Sequence, residues 1–336
     1  MTSNPVVAIV GATGAVGQTM LQVLAEKNFP LKKLVPFASK RSAGKKIEYK
    51  GQKIEVVALE KGCFEGIDIA LFSAGGSVSE KYAPQAASEG AVVVDNTAAF
   101  RYHDDIPLVV PECNRADIFK HNGIIANPNC STIQLLVALK PLHEAFTLKR
   151  MIVSTYQAVS GAGATAIQEM LDNTKAILNG ENFENKKFAH QIAFNALPQI
   201  DKFMEGGWTK EEMKMVWETH KILGDENIGV TSTCVRIPVT SGHSESVYAE
   251  FDRQIEISEV RNLWENASGI KVMDDPANSV YPLASKAVGT NPVYVGRLRK
   301  DHVCENAINF WCVADNLRKG AALNAVQIAE CLVEGK

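Results

Sequence analysis

Val6-Val7-Ala8-Ile9-Val10-Gly11-Ala12-Thr13-Gly14-Ala15-Val16-Gly17 is the stretch on which the reading of the fold turns. A short, β-branched apolar run ends in a glycine, the glycines recur at G-x-x-G-x-x-G spacing, and a helical pattern continues through Met20, Leu21, Val23 and Leu24 to about Lys27. Strand, glycine turn and helix in that order make a glycine motif a dinucleotide-binding hypothesis. The tight turn, the approach of a pyrophosphate to backbone and the packing of helix on strand each want a position without a Cβ. The spacing differs from the commoner G-x-G-x-x-G, and as a bare motif it also fits an ordinary strand-to-helix turn.

The next strand is predicted at Lys33–Ala38, and its end is where a carboxylate would hold the ribose 2′-hydroxyl of NAD. The chain instead has Ser39-Lys40-Arg41-Ser42, a basic, hydroxyl-rich loop that suits the extra phosphate of NADP; a solvated surface loop is the alternative. Further strands are predicted at 67–73, ending in Ala74-Gly75-Gly76-Ser77, and at 91–95, with a helix over 78–89 between them. This βα rhythm predicts a parallel, doubly wound sheet whose strand C-termini converge on one crevice.

Composition sets the outer limits. The chain of 336 residues is long enough for two domains with full cores, with 46% hydrophobic and 22% charged residues, ordinary for a globular protein. A formal charge of -3 offers no basic field for nucleic acid, and no apolar run reaches membrane-spanning length. Seven cysteines without close pairs, and a start that lacks the layout of a signal peptide, make the reducing cytoplasm the expected compartment. No C-x-x-C or H-E-x-x-H occurs, so no metal is expected.

Asn127-Pro128-Asn129-Cys130-Ser131-Thr132 precedes an apolar run, 133–139, that reads as a helix. The thiol would lie at a helix N-terminus, where unpaired N–H groups and the helix dipole favour thiolate. Taken alone, such a cysteine is as well explained as a small buried hydrophobe.

Beyond it, strands are predicted at 150–156, 229–238, 246–254, 293–297 and 307–313, a mixed or antiparallel set unlike the first half. Helices are predicted at 165–179, Lys210–Leu223 and 317–333, the last packing back onto the first domain. Residues 182–207 read as irregular, and His243 falls in the turn between two strands. Glu211 and Lys214 share one helix face, ordinarily a surface ion pair.

Together these features resemble aspartate-β-semialdehyde dehydrogenase, in its shorter bacterial form, from the first strand to the last helix. The motifs are GATGAVG at 11–17, NPNCST at 127–132, Gln157 followed by SGAG, EEMK at 211–214, RIPVTSGHS at 236–244 and ADNLRKGAALNA at 314–325. The resemblance implies Cys130 as nucleophile, His243 as the acid/base that takes the thiol proton, and Gln157 as the group orienting the intermediate. Arg236 would bind the substrate α-carboxylate and Glu211 its amino group, with Lys214, Arg101 and Asn129 holding phosphate. Implied cofactor contacts are Gly11, Thr13, Gly14, Ala15, Val16, Gly17, Ser39, Arg41, Ser42, Ser73, Gly75, Asn96, Ser160, Gly161, Gly163 and Asn316. The implied fold is α/β: a Rossmann-type NADP domain from residues 1–128 and 317–336, and an α+β catalytic and dimerisation domain from 129–316. The implied reaction is the reversible conversion of L-aspartate 4-semialdehyde, phosphate and NADP to 4-phospho-L-aspartate and NADPH, by a homodimer in lysine, threonine, methionine and diaminopimelate synthesis.

N-acetyl-γ-glutamyl-phosphate reductase and glyceraldehyde-3-phosphate dehydrogenase share the cysteine and histidine logic, but an acetylated amine would have no use for Glu211. A non-catalytic NADP-sensing protein would leave Cys130, His243 and Gln157 unexplained, and a thiol hydrolase would leave the glycine turn unexplained.

Overall fold

The structure is a computed structural model and describes residues 2–335. The chain separates into two compact units: one runs to Asn129 and resumes at Gly320, and the other spans Cys130–Lys319.

The first unit opens with β1 (Val6–Val10), α1 (Ala15–Glu26) and β2 (Lys33–Ala38), followed by a hairpin of β3 (Lys46–Tyr49) and β4 (Gln52–Glu55) and by β5 (Val57–Ala58). Then come β6 (Ile69–Phe72), α2 (Gly76–Ser88), β7 (Val92–Asp95), the short α3 (Pro111–Asn114) and β8 (Ile124–Ala126). Six strands form one parallel sheet in the order β5-β2-β1-β6-β7-β8. Covered on both faces, its central strands are continuous apolar runs, and β6 is buried at every residue. The chain leaves β1 for β2 on one side and reaches β6 on the other, so the order reverses beside β1, where α/β sheets bind ligands at strand C-termini. The chain's last helix, Leu323–Glu334, joins this core through Leu323, Val326, Ile328, Ala329 and Leu332.

The second unit begins with α4 (Cys130–Phe146), β9 (Leu148–Gln157), α5 (Ala164–Asn179), α6 (Lys210–Leu223), β10 (Gly229–Arg236) and β11 (His243–Phe251). It continues with α7 (Ile257–Asn266), β12 (Ile270–Val272), α8 (Ala284–Ala287), β13 (Val293–Lys300) and β14 (Ala307–Ala314). The last helix is then α9. Six strands form a mixed sheet in the order β10-β9-β11-β14-β13-β12, parallel at its two outer pairs and antiparallel between. One face carries α4, with α6 and α7 beside it; Trp264 of α7 donates its indole N–H to Ala138 O of α4 at 2.8 Å. The other face leaves Ile152 and Tyr156 exposed.

Among the differences from the sequence reading, two lie beside the site. His243 is the first residue of β11 rather than part of a turn, because it pairs with Ala314 of β14. The helix expected from 317 starts as a π-helical turn, Arg318–Ala322, before α9.

Candidate active site

Cys130 is the first residue of α4. Pro128 keeps the residue before it out of the helical region, so the chain arrives extended and the helix starts at the thiol. The first four N–H groups of a helix lack intrahelical partners, which places the sulfur at the positive end of a 17-residue helix. Cys130 is half-buried, and its sulfur lies within electrostatic reach of the Arg236 guanidinium.

Three adjacent strands supply the floor. Gln157 ends β9 and Arg236 ends β10, and the two are register partners. Ser244 of β11 pairs with Tyr156, so His243 comes level with Gln157 on the same sheet edge. All three side chains are buried, His243 completely. The Ala158 peptide locks two of them: its N–H donates to His243 Nδ1 at 3.0 Å, and its carbonyl accepts from Arg236 Nη1 at 2.7 Å. Because Nδ1 accepts a hydrogen bond, the proton of the neutral ring resides on Nε2. Burial and the neighbouring Arg236 charge push the His243 pKa down to about 3, so the ring is neutral at physiological pH. Nε2 has no hydrogen-bond partner and is left as a donor for something else. Burial also lowers the Arg236 pKa, against the pull of Glu211.

On α6, Glu211 Oε1 accepts from Gln157 Nε2 at 3.1 Å while Oε2 pairs with Lys214 Nζ at 2.9 Å. Lys214 also reaches Asp201 Oδ2 at 2.8 Å. Burial disfavours the Lys214 ammonium, yet Glu211 and Asp201 more than offset it and hold its pKa above the ordinary lysine range. The pair therefore forms a buried charged wall rather than the exposed ion pair its spacing suggests. Gln157 Oε1 accepts from Thr155 Oγ1 at 3.0 Å, which fixes its amide with N–H groups toward Glu211.

The 158–163 turn is braced by Asn316, whose Oδ1 accepts from Gly242 N at 2.9 Å and whose Nδ2 donates to Ser160 Oγ at 2.9 Å. Gly161 packs closely on this pair: a Cβ would stand 3.0 Å from Arg236 Nη1 and 3.3 Å from His243 Nε2, so a side chain would push both aside. Gly163, at φ +95°, begins α5. Of the residues expected around a cofactor, Ser160 and Asn316 thus bind each other, and Gly161 faces the His243–Arg236 pair.

In the first unit, Gly11 (φ +91°) lies so close to Ser73 that a Cβ would meet its carbonyl oxygen at 2.6 Å, and a Cβ on Gly17 would collide with Gly11 O. Thr13, Gly14 and Ala15 are exposed at the turn, and α1 starts with neither a side-chain cap nor an acidic residue in its first turn. Its N–H groups therefore present an anion site that suits a pyrophosphate. Gly75, at φ +97°, starts α2 in the same uncapped way. After β2, Ser39 and Arg41 are exposed, Ser42 is buried, and Lys40 is engaged with Glu60 at 3.0 Å. Asn96 accepts from Asn127 Nδ2 on Oδ1 (2.7 Å) and from Arg101 Nη2 on its carbonyl (3.1 Å); Arg101 and Asn129 are both buried. Among the described residues no cluster of metal-ligating side chains occurs, and no helix is long and apolar enough to cross a membrane.

A nucleotide-binding sheet and a mixed-sheet unit carrying a helix-capped cysteine beside a neutral histidine define an oxidoreductase of the semialdehyde dehydrogenase class. The family model for the semialdehyde dehydrogenase NAD binding domain matches residues 6–121, and that for the semialdehyde dehydrogenase dimerisation domain matches 139–319. The chain belongs to the aspartate-semialdehyde dehydrogenase family. It is 57% identical to the aspartate-semialdehyde dehydrogenase of Aquifex aeolicus over 98% of both chains, and 54% identical to that of Bacillus subtilis over 97% of this chain and 96% of the relative. The structure of aspartate semialdehyde dehydrogenase II from Vibrio cholerae, complexed with ASA, matches at TM-score 0.96 and 51% identity over 98% of both chains. That of the Candida albicans enzyme with NADP matches at 0.74 and 25% identity, again over 98% of both.

Gln157, Glu211, Lys214, Arg236 and His243, singled out in the sequence, come together here, whereas the groups that brace them carried little or no signal. Ala158 acts only through backbone, so no residue type could signal it. Asp201 lies in a segment without periodicity. Gln134 and Glu245 carried a spacing signal, standing four residues after Cys130 and two after His243.

Proposed function

We propose that the chain catalyses the reversible, phosphate-dependent oxidation of L-aspartate 4-semialdehyde to 4-phospho-L-aspartate with NADP, in amino-acid biosynthesis in the cytoplasm. The observation that carries this reading is an oppositely charged pair, Arg236 on the strand floor and Glu211 on the α6 wall, of which Arg236 lies within electrostatic reach of the Cys130 sulfur. A free amino acid presents a carboxylate and an ammonium, and these two groups complement both.

Arg236, its plane set by Ala158, takes the α-carboxylate, and Glu211 the ammonium. The Cys130 thiolate adds to C4, and the oxygen that gains charge accepts a hydrogen bond from His243 Nε2–H and from N–H groups at the start of α4. NADP, held at the glycine turn of residues 11–17, would supply the hydride acceptor for C4. The Cys130 thioester retains acyl activation until a phosphate oxygen attacks the carbonyl carbon and expels the thiolate; the Lys214 ammonium is the cation of the second unit that suits that phosphate. The N–H at Nε2 makes His243 a hydrogen-bond donor to the C4 oxygen, and the proton stays on the ring while the C4 carbonyl re-forms as the hydride leaves. The uncapped α1 suits the pyrophosphate, and the exposed Ser39 and Arg41, in a loop without an acidic side chain, favour the 2′-phosphate of NADP.

The matched dimerisation domain and the apolar open face of the mixed sheet support a homodimer. Tyr156 packs at a tilt against Trp311, ring centroids 5.3 Å apart, beside a recess of about 280 Å³ whose lining includes Tyr281, Leu283 and Trp311.

Purified protein should reduce NADP, faster than NAD, only when aspartate semialdehyde and phosphate are both present; equal rates with N-acetylglutamate semialdehyde would sink the substrate assignment. Cys130→Ala should lower turnover by roughly 10⁴-fold or more while leaving the NADP Kd unchanged, measured by titration. Substantial residual turnover would remove Cys130 from its role.

A further inference from the structure

Gln134 follows Cys130 by one helical turn and so shares its face of α4. It is fully buried; its Nε2 donates to the His243 carbonyl at 3.3 Å, and its Oε1 has no hydrogen-bond donor. Glu245 follows His243 by two residues on β11 and so shares its face of the sheet. Glu245 is also fully buried, between Thr155 of β9 and Cys312 of β14 in register, and its carboxyl faces the Gln134 side chain. Neither carboxyl oxygen receives a hydrogen bond. Three orphaned acceptors thus meet in one buried site, and a single proton between them would satisfy two.

Resting on the reading of Cys130 as nucleophile, we propose that Gln134 and Glu245 are a positioning pair: the Glu245 carboxylic acid donates its O–H to Gln134 Oε1, and Gln134 ties the Cys130 helix to the His243 strand. The donated proton decides which way the Gln134 amide points, and hence that its N–H reaches the His243 carbonyl. Sulfur and imidazole then keep one separation, set by a crosslink one turn below each.

The surroundings agree. Burial holds the Glu245 carboxyl well above the usual carboxylate range, against the smaller pull of the Gln134 amide beside it. Cys234 of β10 and Cys312 of β14 lie within electrostatic reach of it, and burial keeps both thiols protonated. Cys312 in turn donates from Sγ to the Gln134 carbonyl at 3.7 Å, so the same short stretch of α4 is fastened twice to the sheet.

The test compares Glu245→Met, which keeps the length and removes the donor, with Glu245→Gln, which can still donate an N–H to Gln134. The readouts are kcat and KM for aspartate semialdehyde, the thermal midpoint, and the pH profile of Cys130 alkylation by iodoacetamide, followed on its own peptide by mass spectrometry. Glu245→Met should lower kcat by about 10- to 100-fold at unchanged KM, with a displaced alkylation profile. Glu245→Gln should restore kcat to within about threefold of wild type, a difference below 1 kcal/mol. A Met variant with a lowered midpoint but wild-type kcat and alkylation would overturn the proposal, as would a Gln variant as impaired as the Met variant. Should Glu245→Met not fold, Gln134→Met carries the same readouts. Alkylation needs no substrate, so failure of the aspartate semialdehyde assignment would leave this result readable.

Discussion

At the residue scale, the site is governed by groups that are neutral where a first reading would charge them. His243 has a pKa near 3 in the fold against 6.5 for an ordinary imidazole, so between those values the unfolded chain binds the extra proton. Its contribution to stability therefore rises with pH through that window, by roughly 1 kcal/mol per pH unit. Glu245 has the opposite sign: its folded pKa is raised, so above the ordinary 4.5 the folded chain keeps a proton that the unfolded chain releases, and stability falls as pH rises. Between 4.5 and 6.5 the two slopes oppose each other. Glu245→Gln removes one of them, so the variant should gain stability relative to wild type as pH rises above 4.5, by roughly 1 kcal/mol per pH unit. Urea midpoints at pH 5, 6 and 7 measure the difference, and a difference independent of pH would mean that the buried carboxyl is not held protonated. None of this was legible in residue types. The sequence shows His243 and Cys130 as candidates, but the ring's tautomer comes from the Ala158 N–H, which every residue except proline possesses.

At the scale of elements, α6 shows how a helix start becomes part of a binding site. Thr209 Oγ1 accepts from Glu212 N at 3.3 Å and Glu212 Oε2 accepts from Thr209 N at 2.7 Å, a closed capping box, and Gly224 ends the helix in the left-handed region. Glu211 and Lys214 lie within the first turn and a half that this cap holds. Thr209→Ala should cost about 1 kcal/mol and lower the thermal midpoint by about 2–4 °C. Fraying would also loosen Glu211, so KM for aspartate semialdehyde should rise more than kcat falls. A lower midpoint with unchanged KM would show that Gln157 and Lys214 hold Glu211 without help from the cap. This helix was legible to the residue because both its ends carry chemical signals. The β3–β4 hairpin was not read, although Lys50-Gly51, at φ 47° and 77°, is a two-residue turn between short strands. Its strands are four residues each, too short for alternation to stand out. The start of β11 was misread for a related reason: Ser-Gly-His-Ser looks like a turn locally, and only pairing with β14, about 70 residues away in sequence, makes His243 a strand residue.

At the scale of the whole molecule, the two sheets differ in how they satisfy their faces, and that difference makes the last prediction. The parallel sheet of the first unit is covered on both sides, as its continuous apolar strands announce. The mixed sheet has helices on one face, while on the other Ile152 is 39% and Tyr156 37% exposed, continuing into Trp311 and the recess by Leu283. Alternation along β9 shows which residues point outward, but the sequence cannot say whether solvent or a second copy meets them. Exposed aromatics on a flat sheet mark an association surface more often than a solvated one. Ile152 sits mid-strand, away from the Gln157 end of β9, so a charge there disturbs the face without entering the site. Ile152→Glu should therefore yield a folded chain with wild-type circular dichroism that sediments as a monomer where wild type sediments as a dimer. In the dimer the carboxylate would have to be buried unpaired, whereas in the monomer it meets water at little cost. If the variant still sediments at twice the chain mass, this face is not the interface, and its apolar residues need another occupant.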